Sequence, residues 1–98
     1  MSVLVLNAGV LTFGTVESRT PKSQQDMMDT NMYHVAMLAR MLLPQLKQRK
    51  GNTALIINSS AAYMKWFPAG AVYSASKAFV TFLAEGLAIE LKDSNVDV

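Results

Sequence analysis

The sequence contains no cysteine and a single histidine, His34. The first absence excludes disulfides, thiolate metal centres and thiol nucleophiles, and the second leaves no set of imidazoles to hold zinc. Charge is scarce as well: 16% of the 98 residues are Asp, Glu, Lys or Arg, against roughly 25% in a typical soluble domain. That is little charge to cover the outside, so the chain reads as an interior slice of a larger fold or an obligate oligomer rather than as a compact domain with a sticky surface, the plainer alternative. No uninterrupted apolar run approaches the ~20 residues of a membrane-spanning helix. The opening MSVLVLNAGV lacks the basic start of a signal peptide and reads as a strand. The expectation is a cytoplasmic chain without a transmembrane segment. The one dense basic cluster, Lys47, Arg49 and Lys50, suits the cation preference of a helix C-terminus. Without interleaved aromatics it does not suggest nucleic acid.

What is present alternates. Val3 to Leu6 is a branched apolar run closed by Asn7-Ala8-Gly9, the pattern of a strand buried on both faces. Ala54 to Asn58 repeats it after the Gly51-Asn52 turn, and Val96-Asp97-Val98 begins a third. Between the first two, Met27, Met28, Met32, Val35, Leu38, Ala39, Leu42 and Leu46 recur at helical spacing. They predict a helix over about Ser23 to Arg49, opened by Thr20-Pro21 and kinked or ended early by Pro44. Another helix is expected over about Ser74 to Lys92. Crossovers of this length join parallel strands through right-handed connections, an α/β architecture.

In a parallel sheet every loop leaving a strand emerges at the same carboxyl edge. Asn7-Ala8-Gly9 follows the first strand and Ser59-Ser60 the second. Tyr73 and Lys77 fall in the first turns of the next helix, and Asn31 in the early half of the other, so these groups converge on one crevice. Tyr73 and Lys77, at i and i+4, share a helix face with Cβ atoms about 5–6 Å apart. A phenol with an ordinary pKa near 10 is a poor proton shuttle at neutral pH, and a neighbouring ammonium favours its phenolate. The pair is a candidate general acid or base. Ser60, thirteen positions before Tyr73, can donate to a carbonyl oxygen as negative charge develops there. Taken singly, each has a plainer reading: a solvated helix face for Tyr-x-x-x-Lys, turn residues for Ser59 and Ser60.

Taken together, Asn7-Ala8-Gly9, a helical Asn31, a strand ending in Ser59-Ser60 and the YSASK of Tyr73 to Lys77 resemble the short-chain dehydrogenases/reductases. The resemblance covers nearly the whole chain. It implies part of a Rossmann-like doubly wound parallel sheet, a β-α-β-α-β portion in which residues 1–98 are the centre of one domain, incomplete at both ends. It implies oxidoreduction of a carbonyl/alcohol pair with NAD or NADP, NADP favoured. Tyr73 would be the acid/base and Ser60 would polarise the carbonyl. Lys77 would tune Tyr73 and bind the nicotinamide ribose, while Asn31 holds a water linking Lys77 to solvent. Asn7, Ala8 and Gly9 would meet the cofactor together with Tyr73 and Lys77. The stretch AVYSASKAFVTFLAEGLAIEL is similar to members acting on ketones, steroids or fatty acyl groups. Helices apolar around much of their circumference imply, in this family, helix-to-helix pairing into a homo-oligomer.

Departures from the family pattern set the alternative. The glycine-rich TGxxxGxG turn and the residue that selects NAD or NADP are not among these 98 residues. The piece alone is therefore expected to bind and turn over nicotinamide negligibly. The competing reading is a truncated paralogue serving as a structural or interaction subunit, its strand edges covered by partners. His34 reads as a packing or hydrogen-bonding helix residue, and the seven methionines as core and interface filler. Tyr63, Met64, Trp66 and Phe67 either line a pocket for an apolar substrate or pack under a neighbouring segment.

Overall fold

A computed structural model of the chain describes residues 2–60 and 69–98. Strands Val3–Leu6 (β1), Thr53–Ile57 (β2) and Val96–Asp97 (β3) form one parallel sheet in the order β1-β2-β3. Leu4 pairs with Leu55 and Leu6 with Ile57, while Thr53 pairs with Val96. The first crossover holds helix Pro21–Met28 (α1), a π-helical turn Asp29–Tyr33, and helix His34–Gln48 (α2). The second holds helix Ala71–Glu90 (α3). Each strand is followed by its neighbour on the same side. Crossovers of one hand therefore deliver all the helices to one face of the sheet.

The period-two alternation of the strands decides what each face carries. Leu6 and Leu55 point into the helical layer, where they are buried with Val35, Ala39, Leu46, Val80, Leu91 and Val96. Leu4 and Ile57 pack against the same cluster. The opposite face carries Val3, Val5 and Ile56, all of them at least half exposed. The expectation of strands buried on both faces is thus met on one face only. A doubly wound sheet places its second helical layer over the other.

Local chemistry explains the helix boundaries. Thr20 caps α1, its hydroxyl accepting the Ser23 N–H at 3.1 Å, and Pro21 occupies the first turn, where no N–H is missed. The expected single helix is divided by the π turn rather than by Pro44, which lies inside α2. Pro44 and Arg40 are both exposed, so the carbonyl deprived of its N–H partner faces water. At the C-terminus of α2, Asn95 gathers the carbonyls of Leu46, Arg49 and Gly51 at 3.0–3.1 Å, tying the entry of β3 to the end of this helix. Helix α3 starts at Ala71, ahead of the expected Ser74. By length and composition it would reach across a membrane, yet Lys77 and Glu85 interrupt its apolar run and Ser76, Lys77 and Val80 are buried against the rest of the chain.

Candidate active site

The carboxyl edge of the sheet is built by side chains that tie three loops together. Past the end of β1, Asn7 Oδ1 accepts the Asn58 amide at 2.8 Å, which joins the loops leaving β1 and β2. Asn31 lies in the π turn and is 1% exposed. Its Oδ1 accepts the Val10 N–H at 2.7 Å, and its Nδ2 donates to the Val10 carbonyl at 2.9 Å and to Ser76 Oγ at 3.1 Å. Both donors of this amide are engaged. A π turn widens the helix by one residue, a geometry found repeatedly at functional sites. Here it coincides with the residue whose amide binds the β1 loop to α3.

The second loop is pinned by hydroxyls. Ser59 Oγ donates to the Lys77 carbonyl at 3.0 Å and lies 2.6 Å from Thr81 Oγ1, which donates to that same carbonyl at 2.9 Å. The end of β2 is thereby held against the turn of α3 that carries Lys77. Ser60 follows immediately, half-buried, as is Tyr73.

Lys77 occupies the centre. It is 5% exposed, and its Nζ lies 5.8 Å from the centroid of the Tyr73 ring, within cation–π range. Above it passes the β1 loop: a Cβ added at Gly9 would come within 3.1 Å of Lys77 Nζ and 3.5 Å of Asn31 Oδ1. Among the described residues no carboxylate forms a salt bridge with this ammonium. A buried cation without a counter-charge is expensive unless polar groups surround it, so the site presents a positive charge with capacity to spare for an incoming hydroxyl or anionic group.

Asn7, Gly9, Asn31, Tyr73 and Lys77 are brought to one sheet edge through the contacts above, and Ser60 stands at the end of the strand pinned to it. Ala8 lies in the same loop, exposed. His34 turns aside, its Nδ1 hydrogen-bonded to the Thr30 carbonyl one helical turn back. Tyr63, Met64, Trp66 and Phe67 lie outside the described residues. Sequence reasoning missed Ser76 and Thr81. Ser76 was legible only as the residue three after Tyr73, where a hydroxyl can bond back along the helix, as it does to the Tyr73 carbonyl at 2.7 Å.

Two apolar hollows of about 330 and 320 Å³ share Met28 and Met32. The first is lined on α3 by Ala71, Val72, Ala75 and Ser76, the flank turned away from Tyr73 and Lys77. They belong to the outer helical surface rather than to the crevice.

Known proteins with the same features place this arrangement. The short chain dehydrogenase family model matches residues 1–98. Dehydrogenase/reductase SDR family member 4 of Bos taurus is 33% identical over 99 residues, covering 100% of this chain and 35% of the relative. 17-beta-hydroxysteroid dehydrogenase type 3 of Mus musculus is 31% identical over 98 residues, covering 98% and 32%. Among solved structures, a 3-ketoacyl-(acyl-carrier-protein) reductase of Brucella melitensis, complexed with NADH, superposes with a TM-score of 0.92 at 26% identity over 99% of this chain and 42% of that one. The chain thus spans about a third of the length of the curated relatives it matches. With the β-α-β-α-β order, the Tyr73–Lys77 turn and a family match over every residue, the chain belongs to the short-chain dehydrogenase family.

Proposed function

We propose that the protein carrying this chain is a nicotinamide-dependent oxidoreductase acting on a carbonyl/alcohol pair of the ketone, steroid or acyl type. The observation that carries the reading is the placement of Lys77: buried, without a carboxylate partner among the described residues, over the Tyr73 ring and directly beneath Gly9. The residues fit a nicotinamide nucleotide, because the space a Cβ at Gly9 would fill stays open beside the Lys77 ammonium. Asn7, Ala8 and Gly9 would line the cofactor, with Lys77 and Tyr73 on its ribose side. The bound nicotinamide supplies or accepts the hydride. Tyr73 gives a proton to the carbonyl oxygen in reduction and takes it back in oxidation. Lys77 stands against the Tyr73 ring and the ribose, Ser60 donates to the same oxygen as it becomes negative, and Asn31 holds the water through which the proton is replaced. The choice between NAD and NADP has no residue in this chain to carry it. The 98 residues alone lack the phosphate-binding turn and are proposed to be inactive.

The test is oxidation of NADH or NADPH by the intact protein in the presence of a ketosteroid, a 3-ketoacyl thioester and an aryl ketone. Tyr73→Phe is expected to lower kcat/KM by about 10²–10⁴-fold with an unchanged circular dichroism spectrum. Activity within a few-fold of wild type would remove Tyr73 from the acid–base role.

The second reading, an interaction subunit, draws on the outer surface. Met41, Phe82 and Ile89 are 63%, 71% and 73% exposed on α2 and α3. These flanks suit helix-to-helix pairing with a second copy, and such pairing is compatible with either reading. Under the interaction reading alone, Tyr73→Phe changes nothing.

A further inference from the structure

Ser76 sits between Tyr73 and Lys77 in sequence but faces the π turn, 1% exposed. Its hydroxyl has one proton and two lone pairs. The Tyr73 carbonyl, 2.7 Å away, can only accept, so the hydroxyl donates to it. Ser76 Oγ is then left to accept, and Asn31 Nδ2 supplies the hydrogen at 3.1 Å. That contact takes up one of the two amide hydrogens of Asn31. With its NH₂ end turned to Ser76, Asn31 donates its second hydrogen to the Val10 carbonyl at 2.9 Å and presents Oδ1 to the Val10 N–H at 2.7 Å. The reversed amide would set a donor against Val10 N–H and an acceptor against its carbonyl. Oδ1 and Lys77 Nζ both border the position a Cβ would take at Gly9.

We infer that Ser76 is a positioning residue for the proposed reaction: it holds the second amide hydrogen of Asn31 and so joins the Tyr73–Lys77 turn to the loop that follows β1. Its catalytic consequence rests on the acid–base reading of Tyr73 and Lys77, whereas the hydrogen-bond relay stands on the distances alone. Neither Tyr73 nor Lys77 needs to change for the relay to fail. Losing one hydroxyl breaks its middle member and leaves a buried Asn31 N–H without a partner.

The experiment is residue-resolved amide hydrogen exchange on the intact protein, read at Val10, whose N–H is held by Asn31, and at the β2 amides as a reference for global opening. Ser76→Ala is expected to speed Val10 exchange about fivefold while β2 exchange stays at its wild-type rate. Ser76→Thr keeps the hydroxyl at a position that borders an apolar hollow of about 330 Å³. It is expected to restore Val10 protection and, with it, the kcat that Ser76→Ala lowers about tenfold. Unchanged Val10 exchange in Ser76→Ala overturns the inference. So does an equal loss of protection at Val10 and β2 that Ser76→Thr fails to restore, the behaviour of a residue that only fills space. Val10 responding as expected in a protein inert toward every carbonyl tested upholds the relay and sinks the catalytic reading of Tyr73 instead.

Discussion

A methyl group at Gly9 would meet the tip of a flexible lysine rather than backbone, with Lys77 Nζ 3.1 Å from the added carbon. The cheapest relief is for Lys77 to swing aside. Gly9→Ala is therefore expected to leave the melting temperature close to wild type while weakening nicotinamide affinity about tenfold, roughly the loss of one charge-assisted hydrogen bond. A fluorescence titration of NADH checks it, and undiminished affinity would show that Lys77 need not sit beneath the loop. Among single residues the sequence was informative only in combination. An i, i+4 Tyr73–Lys77 pair, a serine at a strand end and Asn-Ala-Gly after a strand each have a plainer reading alone, and together point to one crevice through the strand order. Ser76 and Thr81 are ordinary helix hydroxyls. Their importance comes from facing Asn31 and Ser59 across the fold, and spacing along one helix does not reveal what stands opposite.

Helix α1 owes its start to a threonine, and its first turn is otherwise without acidic residues to satisfy the exposed N–H groups. Thr20→Ala is expected to cost about 1 kcal/mol, seen as a lower urea midpoint at an unchanged slope, with Thr20→Ser recovering most of the loss. The cap and the helical repeat that follows were legible because both are local. The π turn was not, because one extra residue in a turn barely disturbs the spacing of Met27, Met32 and Val35. What holds it is tertiary: Asn31 places its amide between Val10 and Ser76, and those bonds form only when β1 and α3 are already adjacent. Pro44 misled for the opposite reason. Its local cost is real, but an exposed position lets water satisfy the carbonyl that the ring leaves free.

The accessible surface of the chain is 6331 Å², against about 5,500 Å² expected for a compact monomer of 10.7 kDa. The excess is roughly 800 Å². Part of it is the sheet face bearing Val3, Val5 and Ile56, with Val5 and Ile56 paired across β1 and β2. Threonine keeps the branched shape that suits a strand while removing apolar area. Val5→Thr with Ile56→Thr is accordingly expected to shift the 98-residue chain from concentration-dependent association toward monomer in sedimentation velocity. Association unchanged by both substitutions would assign the stickiness to the helical flanks instead. Scarce charge announced such a surface in advance, since composition fixes how much of a molecule can face water, but not which face is left bare.

The order of strands and helices, the capped start of α1 and the gathering of Asn7, Gly9, Asn31, Ser60, Tyr73 and Lys77 at one edge follow from the sequence alone, because periodicity, turn chemistry and the geometry of parallel sheets act locally or by connectivity. The π turn, the polarity of the Asn31 amide, the clamp of Ser59 and Thr81 on the Lys77 carbonyl and the burial of Lys77 were decided only by tertiary structure. Each depends on which groups meet across elements far apart in the chain, and a hydrogen bond is specified by both of its partners.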